Sequence, residues 1–167
     1  TGNLGDSYLG LKALSNKVKF KNKDKLFFVD KYYKPELPLN LTKYLLKFAN
    51  SSIDVSDGLI DDLTKMINRQ SLSFHLFENK IPVSNKLSNL IKKQRLNKIN
   101  LISNGDDYQV LFTADIKKAR IIQKASKTTG IKITKIGKIV SGKDRSLIFD
   151  EKGKQIRAKS KGYIHRF

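Results

Sequence analysis

Apolar residues recur along the chain with two alternating periods, one near the 3.6 residues of a helical turn and one near the two residues of a strand. Leu9, Leu11 and Leu14 follow a Gly5-Asp6 start and predict a helix over Asp6–Leu14. The contiguous run Leu26-Phe27-Phe28-Val29 predicts a short buried strand, and Tyr32 to Leu39, with two of the three prolines, a connection. Leu41, Tyr44, Leu45 and Phe48 predict a helix over Leu41–Ala49. Leu59, Leu63, Met66 and Ile67 repeat that spacing after Asp57, with Ser56 or Asp57 able to cap the first turn. A further helix is predicted from Ser84 to Arg95. Tyr108, Val110 and Phe112 alternate as a mostly buried strand does, and Asp115 opens a helix that stops at Gly130. Ile131, Ile133, Ile136 and Ile139 suggest another strand. Turn clusters at Ser141–Asp144 and Asp150–Gly153 enclose Ser146–Phe149 and predict a terminal meander of antiparallel hairpins. Helices interleaved with strands imply an α+β (mixed α/β) fold, a mixed sheet flanked by helices in a single domain over residues 1–167.

The size allows that core. A domain of about 150 residues buries about two-thirds of its unfolded surface, and 39% of the 167 residues are hydrophobic. The absence of cysteine excludes disulfides, thiolate metal sites and thiol nucleophiles, and two histidines cannot build a histidine-rich metal site. No apolar run exceeds four residues, against the roughly 20 that cross a bilayer, so no membrane partner and a cytoplasmic location are expected. The opening Thr1-Gly2-Asn3-Leu4-Gly5-Asp6 has neither an initiator Met nor the layout of a signal peptide, and reads as the start of a piece of a longer protein.

The formal charge of +19 invites a polyanion partner. The basic residues are nevertheless scattered in singles and pairs, without a basic block or an aromatic-interleaved RNA-recognition pattern. Lys, Ile and Asn number 28, 17 and 12 against 6 Ala, the balance of an A+T-rich coding sequence. Nucleic acid is therefore the alternative partner rather than the expected one.

In so basic a chain the acidic clusters are informative. Asp54 and Asp57 lie three residues apart in Ser51-Ser52-Ile53-Asp54-Val55-Ser56-Asp57-Gly58-Leu59, where a short apolar segment meets a helix. Paired carboxylates suit Mg²⁺, which takes hard oxygen ligands and shares them with substrate phosphates. Ser56 stands at a helix start whose free amides favour phosphate. The alternative is a capped helix with Asp54 in a turn. A second cluster, Asn104-Gly105-Asp106-Asp107-Tyr108-Gln109, precedes a strand, where neighbouring carboxylates point to opposite sides; it is otherwise a polar turn. His75, inside the alternation Leu72, Phe74, Leu76, reads as structural, and His165 has no partner visible in sequence. Neither a P-loop nor a Rossmann glycine fingerprint is present.

Taken together and in order, Thr1-Gly2-Asn3-Leu4-Gly5-Asp6-Ser7, Ile53-Asp54-Val55-Ser56-Asp57-Gly58-Leu59, Gly105-Asp106-Asp107-Tyr108, Ile136-Gly137-Lys138-Ile139 and Gly162-Tyr163 resemble the thiamine-monophosphate kinase family, over its carboxy-terminal half. The resemblance implies a fold like the carboxy-terminal domain of aminoimidazole ribonucleotide synthetase. It also implies transfer of phosphate from the co-substrate ATP to thiamine monophosphate with Mg²⁺, making thiamine diphosphate. Carried over by position, Asp54 and Asp57 would be metal ligands and Ser56 a nucleotide contact. Asp106 would touch the thiamine substrate, and Tyr163 would stand against its ring. Asp62 matches a recurrent family aspartate and stays a structural candidate. Asn104, Gln109 and Ile164 depart from a usual Gly, a usual Glu and a commonly acidic position, and the first two keep open a superfamily member with another phosphate acceptor. The amino-terminal half, with further metal ligands, a basic nucleotide contact and the principal homodimer interface, would lie outside this chain. The chain alone is expected to fold and to be inactive.

Overall fold

The computed structural model describes residues 1–18, 20, 22–68 and 70–158. Seven helices and six strands follow one another there: α1 (Asp6–Leu14), α2 (Asn22–Tyr33), α3 (Thr42–Phe48), β1 (Ala49–Asp54), α4 (Leu59–Ile67), β2 (Leu72–Phe77), α5 (Asn85–Gln94), α6 (Lys98–Ile102), β3 (Val110–Ala114), α7 (Ala119–Thr129), β4 (Gly137–Ser141), β5 (Leu147–Phe149) and β6 (Gln155–Ile156). The fold class is the expected one, α+β with helices packed on mixed sheet. β1 pairs antiparallel with β3, and a second sheet runs in the order β4-β2-β5-β6. None of the described helices is long and apolar enough to cross a membrane.

Most helices lie where the periodicity puts them. Ser84 caps α5 by accepting the Leu87 amide at 3.1 Å, Asp115 caps the short turn before α7 by accepting the Lys117 amide at 2.7 Å, and Gly130 ends α7 in the left-handed region.

The run Leu26–Val29 is helical, not a strand. Four consecutive apolar residues do not distinguish the two by themselves, and here helical packing decides. Among the described side chains of α2 only Phe28 turns fully inward, against Leu9, Leu87 and Leu90, whereas Leu26 is 71% exposed. Phe27 meets the Phe28 ring edge-on at 5.1 Å.

The terminal meander is also corrected. β4 and β5 are not neighbours, because β2 lies between them, antiparallel to β4 and parallel to β5. The link from β4 to β5 is stitched to β2 by Ser73, whose hydroxyl donates to the Gly142 carbonyl (2.6 Å) and accepts the Arg145 amide (3.0 Å). Among the described strands, only β5 and β6 form an antiparallel pair of neighbours in the chain. The expected strand over Ile131–Ile139 begins at Gly137, while β1 and α6 have no counterpart in the sequence reading.

The principal core packs Leu59, Leu63 and Ile67 of α4 on Phe74 and Leu76 of β2, with Ile99 and Ile102 of α6 closing one side. That packing fixes the start of α4 against the end of α6, and so sets the loop 55–58 against the loop 103–109. The His75 ring meets Phe149 edge-on at 5.5 Å.

Candidate active site

The β1–β3 pairing does not stop at the strand ends. Asp54 is in register with Val110, and three further bonds continue the ladder: Val55 amide to Gln109 carbonyl (2.8 Å), Tyr108 amide to Val55 carbonyl (2.9 Å) and Asp106 amide to Ser56 carbonyl (2.9 Å). The two acidic segments singled out in the sequence are thus joined main chain to main chain. Two glycines make the approach possible. A Cβ on Gly105 would lie 1.6 Å from the Ser56 carbonyl oxygen, and one on Gly58 would lie 2.2 Å from the Ser103 carbonyl oxygen. Gly58 also has φ +122°, which L side chains rarely adopt.

At the mouth of α4, one carboxylate oxygen from each of Asp57, Asp61 and Asp62 can be chosen so that all lie within 4.8 Å of one another. The Lys65 ammonium sits among them, 2.7 Å from Asp61 and 3.3 Å from Asp62, and also bonded to Asp57. These bonds, that to Asp57 first, raise the Lys65 pKa above its ordinary value. The donor set therefore fits a hard cation: it is all oxygen, and a positive group already occupies it. Asp62 is only 2% exposed, and its Oδ2 accepts the amides of Asp57 and Gly58, each at 3.0 Å. The helix is capped from within, by a residue in its own first turns reaching back, and not by the side chains of Ser56 or Asp57 as expected. Gly58 holds the N-cap position and has no side chain to offer.

The facing loop carries its own strain. Asp106 and Tyr108 have φ of +67° and +50°, unusual for residues other than glycine, and such outliers gather at functional sites. The Asp106 carboxyl is raised in pKa, chiefly by desolvation and then by the charge of Asp57, so the two carboxylates feel each other across the junction. Between the strained residues, Asp107 turns to the opposite side, as neighbouring carboxylates before a strand should. It is buried and accepts the amides of Gly5 (2.7 Å) and Ser7 (3.4 Å) at the start of α1. Burial raises its pKa to about 8. Gln109 is buried as well, donating to the Glu36 carbonyl at 2.7 Å and accepting from the Thr1 hydroxyl at 2.8 Å. Gln109 thus ties the strand start to Thr1 and Glu36 as a structural anchor. Behind the loop, Asp6, Lys31, Glu36, Ser84 and Asp107 border a cleft of about 260 Å³.

Of the residues named from sequence, Asp57, Ser56 and Asp106 come together at this junction. Asp54, at the end of β1, is exposed and is not in the carboxylate group of the described residues. Tyr163 lies outside the described residues. The sequence reading missed Asp61 and the anchoring by Asp107. The i, i+4 spacing of Asp61 and Lys65 was the available signal for the first; nothing local signals the second, whose partners are about 100 residues away.

No family model matches the chain. A thiamine-monophosphate kinase from Buchnera aphidicola subsp. Schizaphis graminum is 34% identical over 167 residues, covering 99% of this chain and 51% of the relative. One from Aquifex aeolicus is 32% identical over 114 residues, 68% of this chain and 37% of the relative. This chain is a homologue of the thiamine-monophosphate kinases. It spans about half the length of the curated relatives it matches. Among solved structures, AaThiL complexed with AMPPCP and TMP superposes with a TM-score of 0.77 at 29% identity, covering 99% of this chain and 50% of that one. E. coli HypE, a hydrogenase maturation protein, superposes with a TM-score of 0.68 at 14% identity over 98% of this chain and 49% of that one, a likeness of fold alone.

Proposed function

We propose that this chain forms the carboxy-terminal half of a kinase that uses ATP to phosphorylate thiamine monophosphate. An oxygen of the thiamine phosphate attacks the γ-phosphorus of ATP, the bond to the leaving ADP breaks, and thiamine diphosphate results. The observation that carries this reading is the interlocking of the Asp57 and Asp106 loops through the Ser56 carbonyl, in a homologue of kinases that act on this substrate.

Phosphoryl transfer asks mainly for in-line positioning and for neutralisation of the equatorial oxygens, with no protein nucleophile. The chain's histidines, unpaired in sequence, suit such a direct transfer. Asp57 would hold Mg²⁺, and Asp54, on the strength of the resemblance, would contribute a second carboxylate. When bound, Mg²⁺ supplies charge neutralisation at the transferring phosphoryl group. Ser56, at the mouth of α4, is assigned to the nucleotide phosphates. Asp106 is assigned to the thiamine moiety, whose cationic ring a neighbouring carboxylate would attract, and Tyr163 to the wall beside that ring. The complete enzyme would draw its remaining metal ligands and its homodimer contacts from an amino-terminal half, so the chain alone should fold but not turn over.

The test is product identification by ³¹P NMR with ATP, Mg²⁺ and thiamine monophosphate. The diphosphate should appear with the complete protein and not with this chain alone. A product from another phosphate acceptor, with thiamine monophosphate untouched, would replace this assignment.

A further inference from the structure

We infer that Asp62 is a positioning residue for Asp57, fixing its backbone so that the Asp57 carboxylate is held in the group it forms with Asp61 and Lys65 at the mouth of α4. The inference deepens the proposed function, since it concerns the residue assigned to the metal. Asp57 is held on both flanks. Before it, the Ser56 carbonyl is committed to the Asp106 amide at 2.9 Å. After it, the Gly58 amide, and with it the amide of Asp57 itself, is committed to Asp62 Oδ2 at 3.0 Å each.

The geometry goes beyond an ordinary helix cap. A first-turn side chain that reaches back satisfies the N-cap amide, here that of Gly58, whereas Asp62 also takes the amide of Asp57, one residue further out. The peptide it fixes leads into Gly58, at φ +122° and ψ 149°, whose own carbonyl accepts the Asp62 amide at 3.0 Å, so the Asp62 side chain and main chain hold this residue from both sides. A carboxylate is needed for this because its two oxygens serve different partners. Oδ2 takes the two amides, and Oδ1 takes Lys65 at 3.3 Å. An Asn at this position cannot do both: with its oxygen toward the amides, its NH₂ group faces the Lys65 ammonium, and in the other orientation both amides lose their acceptor. Asp62 is only 2% exposed, so water does not readily replace the lost acceptor. Lys65, by contrast, joins the three carboxylates without touching the Asp57 or Gly58 amides, so charge balance and backbone positioning can be separated by substitution.

The experiment uses the full-length protein carrying this chain, as wild type, Asp62→Asn and Lys65→Met. It reads two quantities: hydrogen exchange at the Asp57 and Gly58 amides, and Mn²⁺ affinity measured by electron paramagnetic resonance with ATP present. Asp62→Asn should speed exchange at both amides by about tenfold or more and weaken Mn²⁺ about tenfold, within the range typical when a group that orients a metal ligand is removed. Lys65→Met should leave the exchange at those amides slow. Unchanged exchange in Asp62→Asn, or fast exchange of the whole of α4 in both variants, overturns the positioning role. If Asp62→Asn frees the amides but Mn²⁺ binding is insensitive to both Asp62→Asn and Asp57→Asn, the positioning of the Asp57 backbone stands and the metal assignment of the proposed function falls. If Mn²⁺ binding is lost in Asp57→Asn but untouched in an Asp62→Asn variant with freed amides, the positioning role is overturned while the function stands.

Discussion

The amide of Asp106 donates to the carbonyl of Ser56 at 2.9 Å, and this one bond brings a residue expected to meet substrate against the segment expected to hold phosphate and metal. It exists because Gly105, the residue before Asp106, has no side chain. Gly105→Ala would put a methyl group 1.6 Å from the Ser56 oxygen, and backbone on both sides leaves no flexible neighbour to give way. We expect a loss of at least about 2 kcal/mol in stability and loss of most activity in the complete protein. Chemical denaturation and steady-state kinetics check this, and a fully active, fully stable variant would show that the two loops need not touch.

Asp107 provides a pH dependence with a definite sign. In the folded chain its carboxyl keeps a proton up to about pH 8, while in the unfolded chain it releases it near the ordinary value of 3.8. The folded state therefore binds more protons between those limits, and the contribution of Asp107 to stability declines as pH rises through that window. Asp6, raised mainly by desolvation to about 6, acts in the same direction over a narrower range. Asp107→Asn, neutral and of similar shape, should gain stability relative to wild type as pH rises from 5 to 8, read as a Tm difference that grows by roughly 2–4 °C per kcal/mol. Parallel Tm curves for the two proteins would contradict a buried, protonated Asp107.

The packing of α2 separates residues that look alike in sequence. Phe28→Ala, which empties a fully buried site, should cost about 3–5 kcal/mol. Leu26→Ala, at a position 71% exposed, should change stability by less than about 0.5 kcal/mol. Equal losses by denaturant unfolding would favour the strand that the apolar run suggests on its own.

These cases mark what was legible in the sequence. Helices with a clear periodic face and a local stop signal, such as α5 behind Ser84 and α7 before Gly130, need only nearby residues to define them, and both were found. Leu26–Val29 failed because its conformation is decided by Leu9 on one side and Leu87 and Leu90 on the other. The order β4-β2-β5 failed because Ser73, some 70 residues before the turn it holds, steers that link past β2. At the site the acidic motifs were visible as patterns, and so was their kinship. Asp61 and Lys65 lie one turn apart in α4, with Asp57 just before its N-cap, and the group could be read from spacing. The partnership of Asp107 with the start of α1 joins residues about 100 apart and leaves no trace in local pattern.

Asp106 and Asp57 should separate in kinetics. Asp106→Asn removes a charge near the substrate ring and should raise KM for thiamine monophosphate about tenfold with the Mg²⁺ requirement little changed, each charge-assisted contact contributing about 1.5–3 kcal/mol. An altered Mg²⁺ requirement with unchanged KM would assign Asp106 to the metal instead.

The most direct test is Mg²⁺-dependent ADP release by the complete protein, with and without thiamine monophosphate, in wild type and Asp57→Asn. The expected result is substrate-dependent release in wild type, reduced at least about 100-fold in the variant because removing a metal carboxylate withdraws charge stabilisation that direct transfer relies on. Wild-type rates in a folded Asp57→Asn protein would contradict the assignment of the metal and phosphate site to the mouth of α4.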